Sequence, residues 1–99
     1  MYAMTGKLTA QPEKRPELVA ILTRAAALVG EMAGCRMYIV SEDVANDAAV
    51  WVFEMWDDKT SHDDSLKDER VRALIGEARP IMGGAPEGAE LRVAGGFGI

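Results

Sequence analysis

The sequence predicts an α+β domain in which two helices cover one face of a four-stranded antiparallel sheet. Three observations predict it. The hydrophobic periodicities along the chain run in the order β-α-β-β-α-β, the 99 residues suffice for one modest core spanning 1–99, and the third strand is apolar on both of its sides.

Residues 4–11 alternate roughly between apolar and polar until Gln11-Pro12-Glu13 breaks the pattern, which predicts a first strand running into a helix start. From residue 15 to 32, Leu18, Ile21, Leu22, Ala25, Leu28, Val29 and Met32 recur at three- and four-residue steps and place one apolar stripe on a helix. Glu13 and Glu17 suit the positive end of its dipole. Ala33-Gly34 is expected to stop it, since glycine tolerates the left-handed backbone of many helix ends. Residues 35–40 then read as a second strand, and Asn46-Asp47 as the turn into a third over 48–56, the strongest strand signal in the chain.

A helix N-cap is expected at Ser61-His62-Asp63-Asp64, a hydroxyl followed three residues on by a carboxylate. Leu66, Val71, Leu74, Ile75 and Ala78 continue the helical spacing up to Arg79-Pro80. After the glycine-rich connection 82–88, residues 89–94 form the fourth strand. This is the split βαβ pattern of ferredoxin-like domains. Along the third strand, Ala49, Trp51, Phe53 and Met55 share one side, and Val50, Val52, Glu54 and Trp56 the other. Helices bury only one side, so the other is expected to meet a second copy of the chain in a homodimer with sheet-to-sheet packing.

The composition narrows the chemistry. A net charge of -5, with 11 scattered Lys and Arg residues, disfavours nucleic acid. No apolar run is long enough to cross a bilayer, so no membrane role is expected. The first residues lack a basic stretch followed by a long apolar segment, which makes the cytoplasm the expected location. Cys35 is the single cysteine and reads as a small buried hydrophobe. Gly83-Gly84 and Gly95-Gly96 do not open a helix as a phosphate loop does, and no Ser-His-Asp or Cys-His motif is recognisable, so nucleotide cofactors and acyl transfer drop out.

The chemistry-bearing residues cluster from Glu54 through Trp56 to Ser65. His62, the sole histidine, belongs to the residue type that most readily exchanges a proton near neutrality, and it is the candidate catalytic residue; otherwise it is a solvated residue of a first helical turn. Glu54, inside an apolar strand, must find a cation, a hydrogen bond or a proton, with Arg36 and Arg92 as available cations. Trp51, Trp56, Tyr38 and Phe53 are either core or the walls of a pocket for a flat aromatic ligand. His62, Asp63 and Asp64 offer hard ligands but point apart on a helix, so no metal site is expected.

The stretch 52–81, VFEMWDDKTSHDDSLKDERVRALIGEARPI, resembles the antibiotic biosynthesis monooxygenase family of small dimeric α+β barrel proteins. Glu54-x-Trp56 and His62-Asp63-x-Ser65-Leu66 carry most of the resemblance, and the remaining elements extend it over nearly the whole chain. What it implies is oxygenation of a small phenolic or quinol-type aromatic to a quinone, with dioxygen as co-substrate and no flavin, haem or metal. Trp56 and Trp51 would shape the pocket, His62 would accept or orient the phenolic proton, and Tyr38, Ser65 and Glu54 would contact the substrate. Haem-degrading relatives use an Asn, a Trp and a His where this chain has Gly6, Ser65 and Ile75, so haem oxygenation is disfavoured. Many relatives carry histidine at the position of Ser65, one turn from His62. The rival readings are a non-catalytic dimeric binding protein for a small metabolite, and an isomerase or lyase acting on a ring.

Overall fold

The computed structural model describes residues 1–99. Strand β1 (Tyr2–Thr9) is followed by helix α1 (Arg15–Val29), strands β2 (Cys35–Glu42) and β3 (Ala49–Trp56), helices α2 (Lys59–Ser65) and α3 (Glu69–Ala78), a 3-10 turn (Arg79–Ile81) and strand β4 (Glu87–Arg92). The sheet order is β2-β3-β1-β4 with every pairing antiparallel, the ferredoxin-like arrangement expected from the sequence. The sheet is open, with β2 and β4 as its edges. No helix is long and apolar enough to cross a membrane.

The register decides which side chains share a face. Tyr38 lies directly opposite Glu54, Val40 opposite Val52, Tyr2 opposite Trp56 and Leu8 opposite Val50, so all of them project to one side. On that side Val50 and Val52 pack with Leu18, Ile21, Leu22 and Ala25 of α1 and with Leu74 and Ala78 of α3, while Trp56 packs with Val29 and Val71. On the other side Met37, Ile39, Trp51, Phe53 and Leu91 form an apolar surface with no helix over it.

Two local departures from the expected elements have physical causes in the residues that cap the helices. Helix α1 stops at Val29 instead of residue 32; Gly30 caps it by donating to the Ala26 carbonyl (2.9 Å), and the left-handed glycine is Gly34 (φ 85°), which turns the chain into β2. The expected second helix is two helices. Asp58, in extended backbone, caps α2 by accepting from the Ser61 N–H (2.8 Å), three residues before the expected cap, and Asp68 starts α3 by accepting from Arg70 N–H (2.8 Å). Strand β4 begins at Glu87 and ends at Arg92, two residues earlier than expected at each end.

Candidate functional site

Between the helices and the upper part of the sheet lies a cavity of about 530 Å³. Its walls are mostly apolar: Leu8 from β1, Ile21, Leu22, Ala25 and Val29 from α1, and Leu66, Val71, Leu74 and Ile75 from the α2–α3 arm. The size and lining are those of a site for a small, largely apolar molecule. Met82, Gly84 and Pro86, from the connection to β4, complete it together with Arg79.

Two titratable side chains stand side by side on the sheet floor of this cavity, Tyr38 on β2 and Glu54 on β3. Burial pushes the Tyr38 hydroxyl well above its ordinary range, and the neighbouring Glu54 charge adds to the effect. Tyr38 has no hydrogen-bond partner within the chain; since no fully buried side-chain polar atom is left unpartnered, its oxygen is open to the cavity. Burial also pushes the Glu54 carboxyl up, against the opposing pull of a hydrogen bond from Trp56 Nε1 to its Oε1 (3.1 Å) and of His62. Ser65 lines the same cavity, but its hydroxyl donates to the His62 carbonyl (2.6 Å).

The remaining predicted residues sit elsewhere. His62 does not line the cavity: its ring is 5% exposed, packed between Tyr2 (centroids 5.3 Å) and the edge of Trp56 (6.0 Å). Its Nε2 is 3.9 Å from Glu54 Oε1, and its Nδ1 is 3.0 Å from Asp63 Oδ1. It is a buried residue, unlike the solvated first-turn histidine that was the plain alternative. Trp56 is fully buried behind Glu54 and orients that carboxyl rather than walling the cavity. Trp51 is on the opposite face of the sheet, 39% exposed, donating to Asp43 Oδ2 (2.9 Å) with the Lys7 ammonium over its ring. Glu54 is not paired with either expected arginine: Arg36 bonds to Asp57 (2.5 Å), and Arg92 forms no ion pair.

Sequence reasoning passed over the helix side chains that form the cavity roof and Tyr2, which covers His62. One signal was available for the floor: a hairpin centred on Asn46 pairs residue 38 with residue 54.

An open four-stranded sheet carrying a layer of helices on one face, with a mostly apolar cavity between helices and sheet and an acid–phenol pair on its floor, defines a small ferredoxin-like domain with an internal cavity. Its lineage is specific. The family model described as antibiotic biosynthesis monooxygenase matches residues 1–77, and the chain belongs to that family. A Chloroflexus aurantiacus J-10-fl protein carrying the antibiotic biosynthesis monooxygenase name is similar to it at 37% identity, over 99% of this chain and 97% of the other, with a TM-score of 0.88. A Deinococcus radiodurans protein of the same name shares the fold at 22% identity (100% and 98% covered, TM-score 0.87). A mutant of SnoaB, a cofactor-independent oxygenase from Streptomyces nogalater, shares it at 12% identity (99% and 97% covered, TM-score 0.84). No curated protein matches the chain.

Proposed function

We propose that the protein is a cofactor-independent monooxygenase that oxidises a small phenolic or quinol-type aromatic to a quinone, and that it works as a homodimer. The observation that carries this reading is the placement of Tyr38 and Glu54 side by side on the floor of an otherwise apolar cavity. Family membership and a fold shared with a cofactor-independent oxygenase support it.

A flat ring enters among Ile21, Leu22, Leu74 and Ile75 and brings its hydroxyl to Glu54 and Tyr38. Glu54 takes the phenolic proton, and Tyr38 donates to the phenolate oxygen in a site where water does not compete. His62 Nε2 stands behind Glu54 to receive the proton in turn. The electron-rich phenolate then reduces dioxygen. One oxygen atom ends as the new ring carbonyl opposite the first, and the other leaves as water with the ring hydrogen and the phenolic proton. The apolar walls keep the intermediate from bulk solvent. The sheet face opposite the cavity, with Ile39, Trp51 and Phe53, is the dimer surface, so Trp51 serves assembly in this reading instead of the pocket.

The same acid–phenol pair suits the enolate of a ring ketone, which keeps a ring isomerase as the second reading. An oxygen-electrode assay with 1-naphthol, hydroquinones and anthrone, run on chelator-treated protein, separates them. The oxygenase reading expects oxygen uptake that survives chelation and falls roughly 10²–10⁴-fold in Glu54→Gln. Binding of these compounds without any uptake would reject it, and uptake unchanged in Glu54→Gln would reject the assigned site.

A further inference from the structure

A line of polar side chains with one 3.9 Å gap runs from the cavity to solvent. It starts at Glu54 Oε1, crosses 3.9 Å to His62 Nε2, and leaves the ring at Nδ1, 3.0 Å from Asp63 Oδ1. Asp63 is half exposed and is held by Lys59 Nζ at 3.2 and 3.3 Å to its two carboxylate oxygens. Lys59 also reaches Glu90 Oε1 on the edge strand β4 (3.3 Å), and Glu90 accepts from the Tyr2 hydroxyl (2.9 Å). The charged and titratable groups that face His62 or its partners come from the strands and helix packed around it: Glu54 from β3, Asp63 and Lys59 from α2, Tyr2 from β1, Glu90 from β4, and Tyr38 and Cys35 from β2 beside Glu54.

The arrangement has a direction. A carboxylate at Nδ1 favours the tautomer that carries its proton there, and this leaves Nε2 as a bare acceptor facing Glu54. The hydrogen bond from His62 and then that from Lys59 hold the Asp63 carboxyl below the usual carboxylate range, so it stays an anion able to steady an imidazolium. Packing between Tyr2 and Trp56 limits the ring's other orientations.

We propose that Asp63 is a positioning residue that holds His62 as its Nδ1–H tautomer, so that Nε2 takes the proton from Glu54, and that Asp63 is the point where this proton reaches water. The inference rests on the reading that Glu54 meets the substrate. In the step, the Glu54 O–H bond breaks as Nε2–H forms, and the imidazolium is balanced by Asp63. The Nδ1 proton then passes to Asp63 and on to solvent. When dioxygen is reduced the route runs in reverse, Nε2 returning its proton through Glu54 to the oxygen that leaves as water while Asp63 reprotonates Nδ1, so the first tautomer is restored without turning the packed ring. Moving the proton off Glu54 keeps the phenolate from recapturing it before dioxygen reacts.

His62 is the sole histidine, so one ring reports on everything. Long-range ¹H–¹⁵N correlation spectra of the full chain, with no ligand added, distinguish the two neutral tautomers. Wild type is expected as Nδ1–H, with Asp63→Ala moving to Nε2–H or a mixture. An Nε2–H wild type, or an Asp63→Ala protein still held as Nδ1–H, overturns the proposal. In oxygen uptake with 1-naphthol, Asp63→Ala is expected to lose roughly tenfold or more in kcat with KM little changed, a part of the 10²–10⁴-fold that positioned proton transfer supplies. Imidazole buffer is expected to restore part of the loss, and Asp63→Glu to retain more activity than Asp63→Ala. A kcat equal to wild type overturns the exit role. Should the tautomers behave as expected while no compound consumes oxygen, the oxygenase reading fails and the positioning by Asp63 stands.

Discussion

Glu54 concentrates the physics of this protein in one side chain. Burial raises its carboxyl above the ordinary 4.5, and the hydrogen bond from Trp56 offsets this only in part. The folded protein therefore holds that proton more tightly than the unfolded chain does. The stabilisation this gives is complete below about pH 4.5 and is lost as pH rises through the folded value. Glu54→Gln keeps an oxygen for Trp56 and removes the buried charge, so its melting temperature is expected above wild type at pH 8 and level with it at pH 4 by scanning calorimetry. A variant that is less stable than wild type at pH 8 would mean that His62 more than offsets the burial of the Glu54 charge. The importance of Glu54 was legible because a carboxylate among apolar strand residues is costly unless something uses it. Trp51 shows where that logic ends: it differs from Glu54 by an odd number of positions on one strand, so the two share no face, and aromatic character together with the family resemblance drew it into the pocket. His62 was legible as a residue type, whereas its burial depends on Tyr2, which lies 60 positions away in sequence and reaches it only through the β1–β3 pairing.

At the level of elements, the α2–α3 arm decides where the cavity roof and the proton route sit. Asp58 and Ser61 both satisfy the chemistry of an N-cap, and residues 66–68, Leu-Lys-Asp, contain no glycine or proline to mark the break between the helices. Local pattern therefore favoured one long helix, and tertiary packing selects two. The cap at Asp58 predicts that Asp58→Ala costs about 1 kcal/mol in urea denaturation, while Ser61→Ala costs less. Gly34 locks the start of β2 to this arm: a Cβ there would lie 2.5 Å from Ser61 Oγ, and its φ of 85° strains any other residue. Gly34→Ala is expected to lose about 1–3 kcal/mol from backbone strain alone, with a further loss from the clash. Ser61 Cβ would stand at 2.7 Å as well, so adding Ser61→Gly, which removes both atoms, should recover only the clash component, a coupling that a double-mutant cycle in urea measures directly. Equal losses in the single and double variants would mean that the loop before β2 moves away from α2.

On the scale of the whole molecule, the question is what covers the sheet face that carries no helix. Ile39 and Leu91 on it are 46% and 42% exposed; Phe53 stands beside Ile39, Met55 shares the row of Leu91, and Trp51 lies one row beyond Phe53. This two-sided character was the most legible global feature of the sequence, since eight residues of β3 contain a single charge, Glu54. A face-to-face pair of such sheets buries the apolar side chains of both copies, in an interface of the roughly 1,200–2,000 Å² typical of stable associations. Edge-to-edge pairing through β4 is the competing geometry, because that strand is exposed along its whole length and offers unpaired backbone groups. One substitution separates the two. Ile39→Glu sits on the face and faces Phe53 across the strand pair, so it leaves the outer edge of β4 untouched. Light scattering coupled to size exclusion is expected to give twice the chain mass for wild type and a single chain mass for Ile39→Glu, with circular dichroism unchanged. If the variant keeps the wild-type mass, the open face is not the contact and β4 becomes the surface to mutate. A wild type that runs as a single chain would leave the apolar face to another partner.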